Sequence, residues 1–414
     1  MINIWRVLLI GIFCLPKINL VEVDNFNAGI RIDDIFIAAF AMIYAAHVVL
    51  AKKLSITPAE RAFFIFLAII TIGTGFNALF FDRGSVLFPL RMMEYFLFFY
   101  MGWMYFSGRN ELKTLVKFLF WGNVVVAFLQ LIGLLGGFTV YGYRSDVSER
   151  VIGLTGGPWE LGMVLNLASS YYLIKAKNNK IRYLTFGIST FLILANGSRM
   201  SLMAQFAILL YYFFMSGDVI KAGKRMIAFV PALLLVFLFI QDSGVATRSE
   251  NLANDQNIEI FTESFSNLQV SEVPPQWSTL GQLSHGDEID ASWSMRGLKW
   301  IYAFKMWLLN PANMLWGVGM GVFGNALDGG WLRLLSETGI LGFAIFALFL
   351  IRSAKADNVC KLVAAALAVN MLFIDMHMAY KAMSISIFFF GYYSKKKRVE
   401  LRESINALPS AGIR

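Results

Sequence analysis

The sequence predicts an all-α polytopic membrane protein with about 12 transmembrane helices and one large outward loop between helices 9 and 10. Three observations carry that expectation. The chain is 57% hydrophobic with a mean hydropathy of +0.61, well above an ordinary soluble domain. Its apolar runs, roughly 17–25 residues each, are long enough to cross a hydrocarbon core. They are continuous rather than alternating, so helices and not barrel strands are expected. Finally, lysines and arginines gather in every second connection, as the positive-inside rule requires.

The first run, 4–21, has Arg6 ahead of it and no small-residue cleavage site, so it reads as a retained helix. Further spans are expected at 32–50, 62–81, 86–106, 115–137, 159–176, 183–197, 200–216 and 226–241. The last three are expected at 331–351, 362–376 and 382–394. With a cytoplasmic N-terminus, the inward connections hold Lys52, Lys53 and Arg61, then Arg109, Lys113 and Lys117, then Lys175, Lys177, Lys180 and Arg182. Later ones hold Lys221, Lys224 and Arg225, then Arg352, Lys355 and Lys361, and the tail carries Lys395 to Arg398. Outward connections are acidic, short or poor in cations; Glu22, Asp24, Asp33 and Asp34 mark the first. Both termini are therefore expected in the cytoplasm. This arrangement accounts for the net charge of +9 without a nucleic-acid-binding surface. Cys14 and Cys360 fall in separate helices, and no disulfide is expected.

The organisation follows: spans one to nine over 1–241, the outward loop over 242–330, spans ten to twelve over 331–394, and a basic tail over 395–414. The loop is too long to be a mere connector. Its first part, to about 290, is rich in Ser, Asn, Gln and acids around Pro274-Pro275. Over about 294–309, Ile301, Phe304 and Leu308 recur at helical spacing, predicting an interfacial helix capped by Ser292 or Ser294 and ended before Pro311.

Four arginines sit just outside apolar segments on the outward side, where fewest are expected: Arg150, Arg199, Arg248 and Arg296. A guanidinium fork binds a diphosphate well, so a lipid-diphosphate substrate is the first chemistry to consider. The bland alternatives are snorkelling to headgroups for Arg150 and Arg199, an interfacial cation for Arg296, and a solvated charge for Arg248. Trp159 and Glu160 follow Arg150 at the entry to span six, with Trp159 able to stack on a sugar. Arg91 and Glu94 are three residues apart and can pair on one face of span four, either as support for a site or in contact with substrate. Asp328 stands at the mouth of span ten, as a general base or as a helix N-cap, with Trp331 and Glu337 beyond it. Asp375, His377 and Lys381 cluster at the outer ends of the last two spans.

His47, His285 and His377 are far apart in this topology, so no His-based metal site is expected. No P-loop is present. Gly317-x-Gly319-x-Gly321 faces outward after a surface helix and reads as a flexible turn rather than a nucleotide loop. Asp287-Glu288-Ile289-Asp290 lacks the calcium-loop pattern. No cofactor is expected.

Taken together, these segments resemble the bacterial O-antigen polymerase and O-antigen ligase superfamily. The resemblance rests on Arg150-x-x-Gly153 with Pro158 downstream, Gly197-Ser198-Arg199, and Arg296-x-x-x-Trp300 leading through Pro311 to Gly317-x-Gly319. The fourth piece is Asp328…Trp331-Leu332…Leu335-x-Glu337-x-Gly339. These motifs cover roughly 140–345, and their order carries the resemblance more than any one of them. It implies a polytopic inner-membrane enzyme that moves a glycan from undecaprenyl diphosphate on the periplasmic face, so the outward loop is periplasmic. Ligases of the group carry a histidine nine residues before the glutamate of the last motif, where this chain has Asp328. That difference favours the polymerase (Wzy) class, with a lipid-linked glycan as both donor and acceptor. The resemblance also implies a chain-length regulator and a flippase as partners. Arg150, Arg199 and Arg296 are then expected on the diphosphate, with Asp328 as base for the acceptor hydroxyl. Arg248, Arg91, Glu160, Trp159, Trp300, Trp331 and Glu337 are expected to bind substrate. The alternatives are a ligase that uses lipid A-core as acceptor, and a polyprenyl-linked glycan flippase or other transporter. A transporter is expected to show repeat symmetry and charges at the bilayer midplane, and neither is evident.

Overall fold

The computed structural model describes residues 9, 11–15, 19–23, 26–51, 56–107, 112–139, 142–215, 291–324 and 326–406, with isolated positions 220, 223, 265, 266 and 268–270 between them. The expected ninth span at 226–241, most of the loop over 242–290, and Arg248 lie outside the described residues.

The protein is mostly helical. A hairpin of β1 (Asn19–Val23) and β2 (Phe26–Arg31) leads into α1 (Ile32–Ala51). Then follow α2 (Pro58–Phe81), α3 (Leu87–Tyr105) and α4 (Leu112–Leu131). A second hairpin, β3 (Gly137–Thr139) with β4 (Gly142–Arg144), precedes α5 (Pro158–Lys175), α6 (Asn179–Ala195) and α7 (Arg199–Phe214). After the loop come α8 (Ala291–Leu308), α9 (Pro311–Trp316), α10 (Gly330–Ala354), α11 (Asn358–Asn370) and α12 (Tyr380–Asn406). Three of these, α2, α4 and α10, are long and apolar enough to cross a membrane.

Local chemistry explains most boundaries. α2 opens on a capping box, in which the Glu60 amide bonds the Thr57 hydroxyl and the Thr57 amide bonds Glu60. Pro58 opens α2 and Pro158 opens α5, where a missing amide costs no helical bond. Asp357 caps α11 through the Val359 amide.

Two short hairpins accompany the helices. Three expectations are corrected. β1 begins inside the first expected span. α8 starts at Ala291, ahead of both serines, so neither Ser292 nor Ser294 is its cap. α11 ends at Asn370 rather than 376, which leaves Asp375 in a turn. With 13 residues, α11 is about 20 Å long, short of the roughly 30 Å hydrocarbon core.

α3 lies along α12, α2 along α10, and α5 is enclosed by α6, α7 and α11. The α3–α12 crossing is close because Gly102 faces Phe388 backbone and Gly391 faces Phe99 backbone; a side chain at either would collide. Phe63, Phe66, Phe98, Phe99 and Phe349 fill the space between these pairs and are fully buried.

Candidate functional site

Two groups of the residues expected to face outward are built separately and meet on one turn. The first surrounds Arg150. The segment after it is held from α4: Gln130 Oε1 accepts the Ile152 and Gly153 amides at 3.0 and 2.8 Å, and Asn123 Oδ1 accepts the Leu154 amide at 3.0 Å. Gln130 and Asn123 are seven residues apart and share one face of α4. Glu160, fully buried, accepts the Gly156 amide at 2.8 Å and so closes the entry to its own helix. Trp159 is half-buried against the core.

This pinned segment presents Arg150 to the α6–α7 turn, where its Nε donates to the Asn196 carbonyl at 3.3 Å. Asn196 in turn donates to the Pro158 carbonyl at 2.9 Å and accepts the Ser198 amide at 2.8 Å. Arg199 is the first residue of α7, after the N-cap Ser198. A cation at a helix N-terminus opposes the macrodipole, whereas an anion there is favoured by both the dipole and the guanidinium.

The second group surrounds Asp328. Arg296 Nε donates to Asp328 Oδ2 at 2.8 Å, and each side chain is about a third exposed (37% and 36%). Asp328 has left-handed backbone (φ 56), and the N-cap of α10 is Gly329, so the capping alternative for Asp328 falls. The strained backbone is held from both sides. Asp375 accepts the Leu327 amide at 2.7 Å and the Gly329 amide at 3.1 Å. Trp300 Nε1 donates to the Leu327 carbonyl and Lys299 Nζ to that of Ala326.

Behind this loop lies a fully buried triad. Arg333 donates to Glu337 at 3.2 Å, to Asp375 at 2.9 Å and to the Gly324 carbonyl at 2.6 Å. Around the Asp328 pair and this triad, Arg296, Lys299 and Arg333 face Asp328, Asp375 and Glu337, so the charges there balance. Burial would raise the Asp375 carboxyl, but the lowering influences, led by the Arg333 guanidinium and joined by the Leu327 amide, together outweigh it and hold the group below its ordinary value. Burial pushes the Lys299 ammonium down, partly offset by Asp328 and Asp375. His377, wholly buried beside Asp375, is driven down to about 3 by burial, so it is neutral.

The glycine run 317–321 is held, not loose. α10 is interrupted at Gly339 (φ 66, ψ −177), and the run docks into the break. The amides of Val318 and Gly319 donate to the Ser336 and Glu337 carbonyls, and that of Gly321 to Glu337 Oε1. A side chain at Gly317 or Gly339 would strike the opposite backbone. The same run is tied to α2 through Thr74, which accepts the Met320 amide. Arg83, nearly buried, adds Nε to Asn77 at 2.7 Å and Nη2 to Asn313 at 2.8 Å.

Both groups rest on the segment 370–381. Ser201 of α7 donates to Asn370, the Trp331 amide donates to the Met371 carbonyl, and Asp375 holds the Asp328 loop. Lys381 donates to the Leu154 and Leu15 carbonyls, reaching back to the Arg150 segment. The remaining sequence candidates lie apart from this junction or within its packing. Trp300 packs tilted against Phe373, and Trp331 donates to the Ala368 carbonyl while packing on Phe343. Arg91 bonds Glu94 at 2.7 Å and lies 3.7 Å from Asp34, joining α1 to α3. Sequence reasoning did not single out Arg333, Arg83 or Asn196. Arg333 had a usable signal: an arginine four residues before Glu337 inside an apolar helix needs a partner.

A scan against protein-family models matches none, and a search of curated proteins finds no match.

Proposed function

We propose that this chain is a periplasmic-face glycosyltransferase that polymerises undecaprenyl-diphosphate-linked oligosaccharide repeat units into O-antigen or a related surface polysaccharide. In this reading it crosses the bacterial inner membrane about twelve times, with both termini cytoplasmic. The observation that carries it is the junction at 370–381, which supports the Arg150–Asn196–Arg199 group on one side and the Arg296–Asp328 pair on the other. The four motif segments of the resemblance thereby converge on one end of the helix bundle.

The chemistry follows from these groups. The acceptor hydroxyl attacks the anomeric carbon of the growing chain, and the bond from that carbon to the diphosphate oxygen breaks. The electron pair goes to the leaving diphosphate, and the hydroxyl proton goes to the Asp328 carboxylate. Arg150, Arg199 and Arg296 stabilise the charge that builds on the diphosphate, Arg296 exchanging its Asp328 partner for it. One displacement of this kind inverts the anomeric centre. Arg296 and Asp328 are partly exposed, so an arriving diphosphate and hydroxyl can reach both.

The test is the surface-glycan ladder of a strain lacking the gene, complemented with wild type or Arg150→Ala. Collapse to a single repeat unit, rescued by wild type only, supports the polymerase. Long polymer stranded on the polyprenyl carrier, with none on the surface, makes it a ligase instead.

A further inference from the structure

A second polar region lies inside the bundle, away from the outward groups. Gly162, Asn166 and Ser169 are spaced i, i+4, i+7 and share one face of α5. Gly162 abuts Ser201 of α7, and Ser169 accepts a bond from Gln205 of α7 at 2.9 Å. Asn166 therefore lies between two points of α5–α7 contact. Gln205 also reaches Thr190 of α6 at 3.4 Å, the neighbour of Ser189. All of these polar residues except Thr190, at 7%, have no exposed surface.

The hydrogen bonds among them do not close. Neither Oδ1 nor Nδ2 of Asn166 has a partner, and neither does Gln205 Oε1 or Ser189 Oγ. An amide buried with no partner is costly in a protein interior, and packed helices give these groups no contact with bulk water. Asn166 carries both an unmet acceptor and unmet donors, so its ligand must both give and take a hydrogen bond.

We propose that the α5–α6–α7 interface is a binding site for ordered water, bonded to Asn166, Gln205 and Ser189. Water matches the donor and acceptor set, and the side chains on either side of Asn166 at the α5–α7 contact, Ser169 and Ser201, are small. A sodium ion would also suit three oxygens. However, the Asn166 amide hydrogens would repel it, and no carboxylate stands among these groups to balance a charge. The site lies below the α7 N-terminus, which Ser201 links to Asn370, and so gives that turn a hydrated floor.

Brief X-ray radiolysis of the full chain in lipid nanodiscs tests this, because hydroxyl radicals form from bound water and label its immediate neighbours. Met163, wholly buried and one helical turn before Asn166 on α5, is the reporter. Met163 is expected to be labelled promptly in wild type, and labelling is expected to drop to background in Asn166→Leu. Gln205→Met serves as a second variant, and the melting temperature of each confirms that it is folded. Background labelling of Met163 in the wild type overturns the proposal. Melting stabilised by sodium but not by choline at equal ionic strength also overturns it, in favour of a cation site.

Discussion

The Arg296–Asp328 pair and the Arg333–Glu337–Asp375 triad use the same chemistry a few residues apart, yet in opposite surroundings. The pair is about a third exposed on each side, whereas the Arg333 and Glu337 side chains are at 1% and 0%. An exposed pair exchanges partners cheaply, because water and a ligand can replace either member. A buried triad cannot, since removing one member strands a charge in low dielectric. The difference suits the triad to architecture and, under the proposed function, leaves the pair for substrate.

The strongest way to break this comparison is Arg333→Ala. It leaves Glu337 and Asp375 buried without their cation and is expected to lower stability by about 3–5 kcal/mol. Melting in detergent checks this; a variant as stable as wild type would remove the distinction between the two regions. Next, Arg296→Gln is expected to leave melting nearly unchanged while slowing polymerisation. The loss is about 2–4 kcal/mol in the transition state, by analogy with deletion of one oxyanion donor. The length distribution of the glycan ladder reads it out, and an unaltered ladder would take Arg296 out of the site.

Acid sharpens the contrast. A group whose folded pKa is lowered binds fewer protons folded than unfolded, so stability falls as pH drops through the window between the two values. For His377 that window runs from its ordinary 6.5 down to about 3. Asp375 acts in the same direction below the ordinary carboxylate range. Stability is therefore expected to decline below pH 6.5, with a slope of up to about 1.4 kcal/mol per pH unit from His377. His377→Phe should flatten the upper part of that decline, and an unchanged melting profile would contradict it. The smallest effect is expected from the double-mutant cycle on Arg296 and Asp328, whose coupling in stability should be no more than about 1 kcal/mol. A larger coupling would mean that the pair, too, is structural.

Much of the helical framework was legible in the sequence, for local reasons. Expected spans at 62–81, 159–176 and 331–351 lie within Pro58–Phe81, Pro158–Lys175 and Gly330–Ala354 apart from one residue. Apolar runs, prolines at first positions and capping residues act within a few residues of one another, so reading along the chain finds them. The hairpin at 19–31 escapes that reading because Leu20 and Val21 extend the apolar run past Pro16 and Lys17, while Glu22, Asp24 and Asn25 signal only a loop.

The sequence by itself determined which segments are apolar helices and which residues at their ends carry charge. Tertiary structure decided what each charge meets. Arg333 and Asp375 are 42 residues apart, and the Asp328 backbone is held by a carboxylate from another turn. Lys381 reaches Leu154 across 227 positions. The glycine run 317–321 has its meaning only against the break at Gly339, which no spacing announces. Charges and hydrogen bonds act over a few ångströms in space whatever their separation along the chain. Which partners come within that range is settled only when the helices pack.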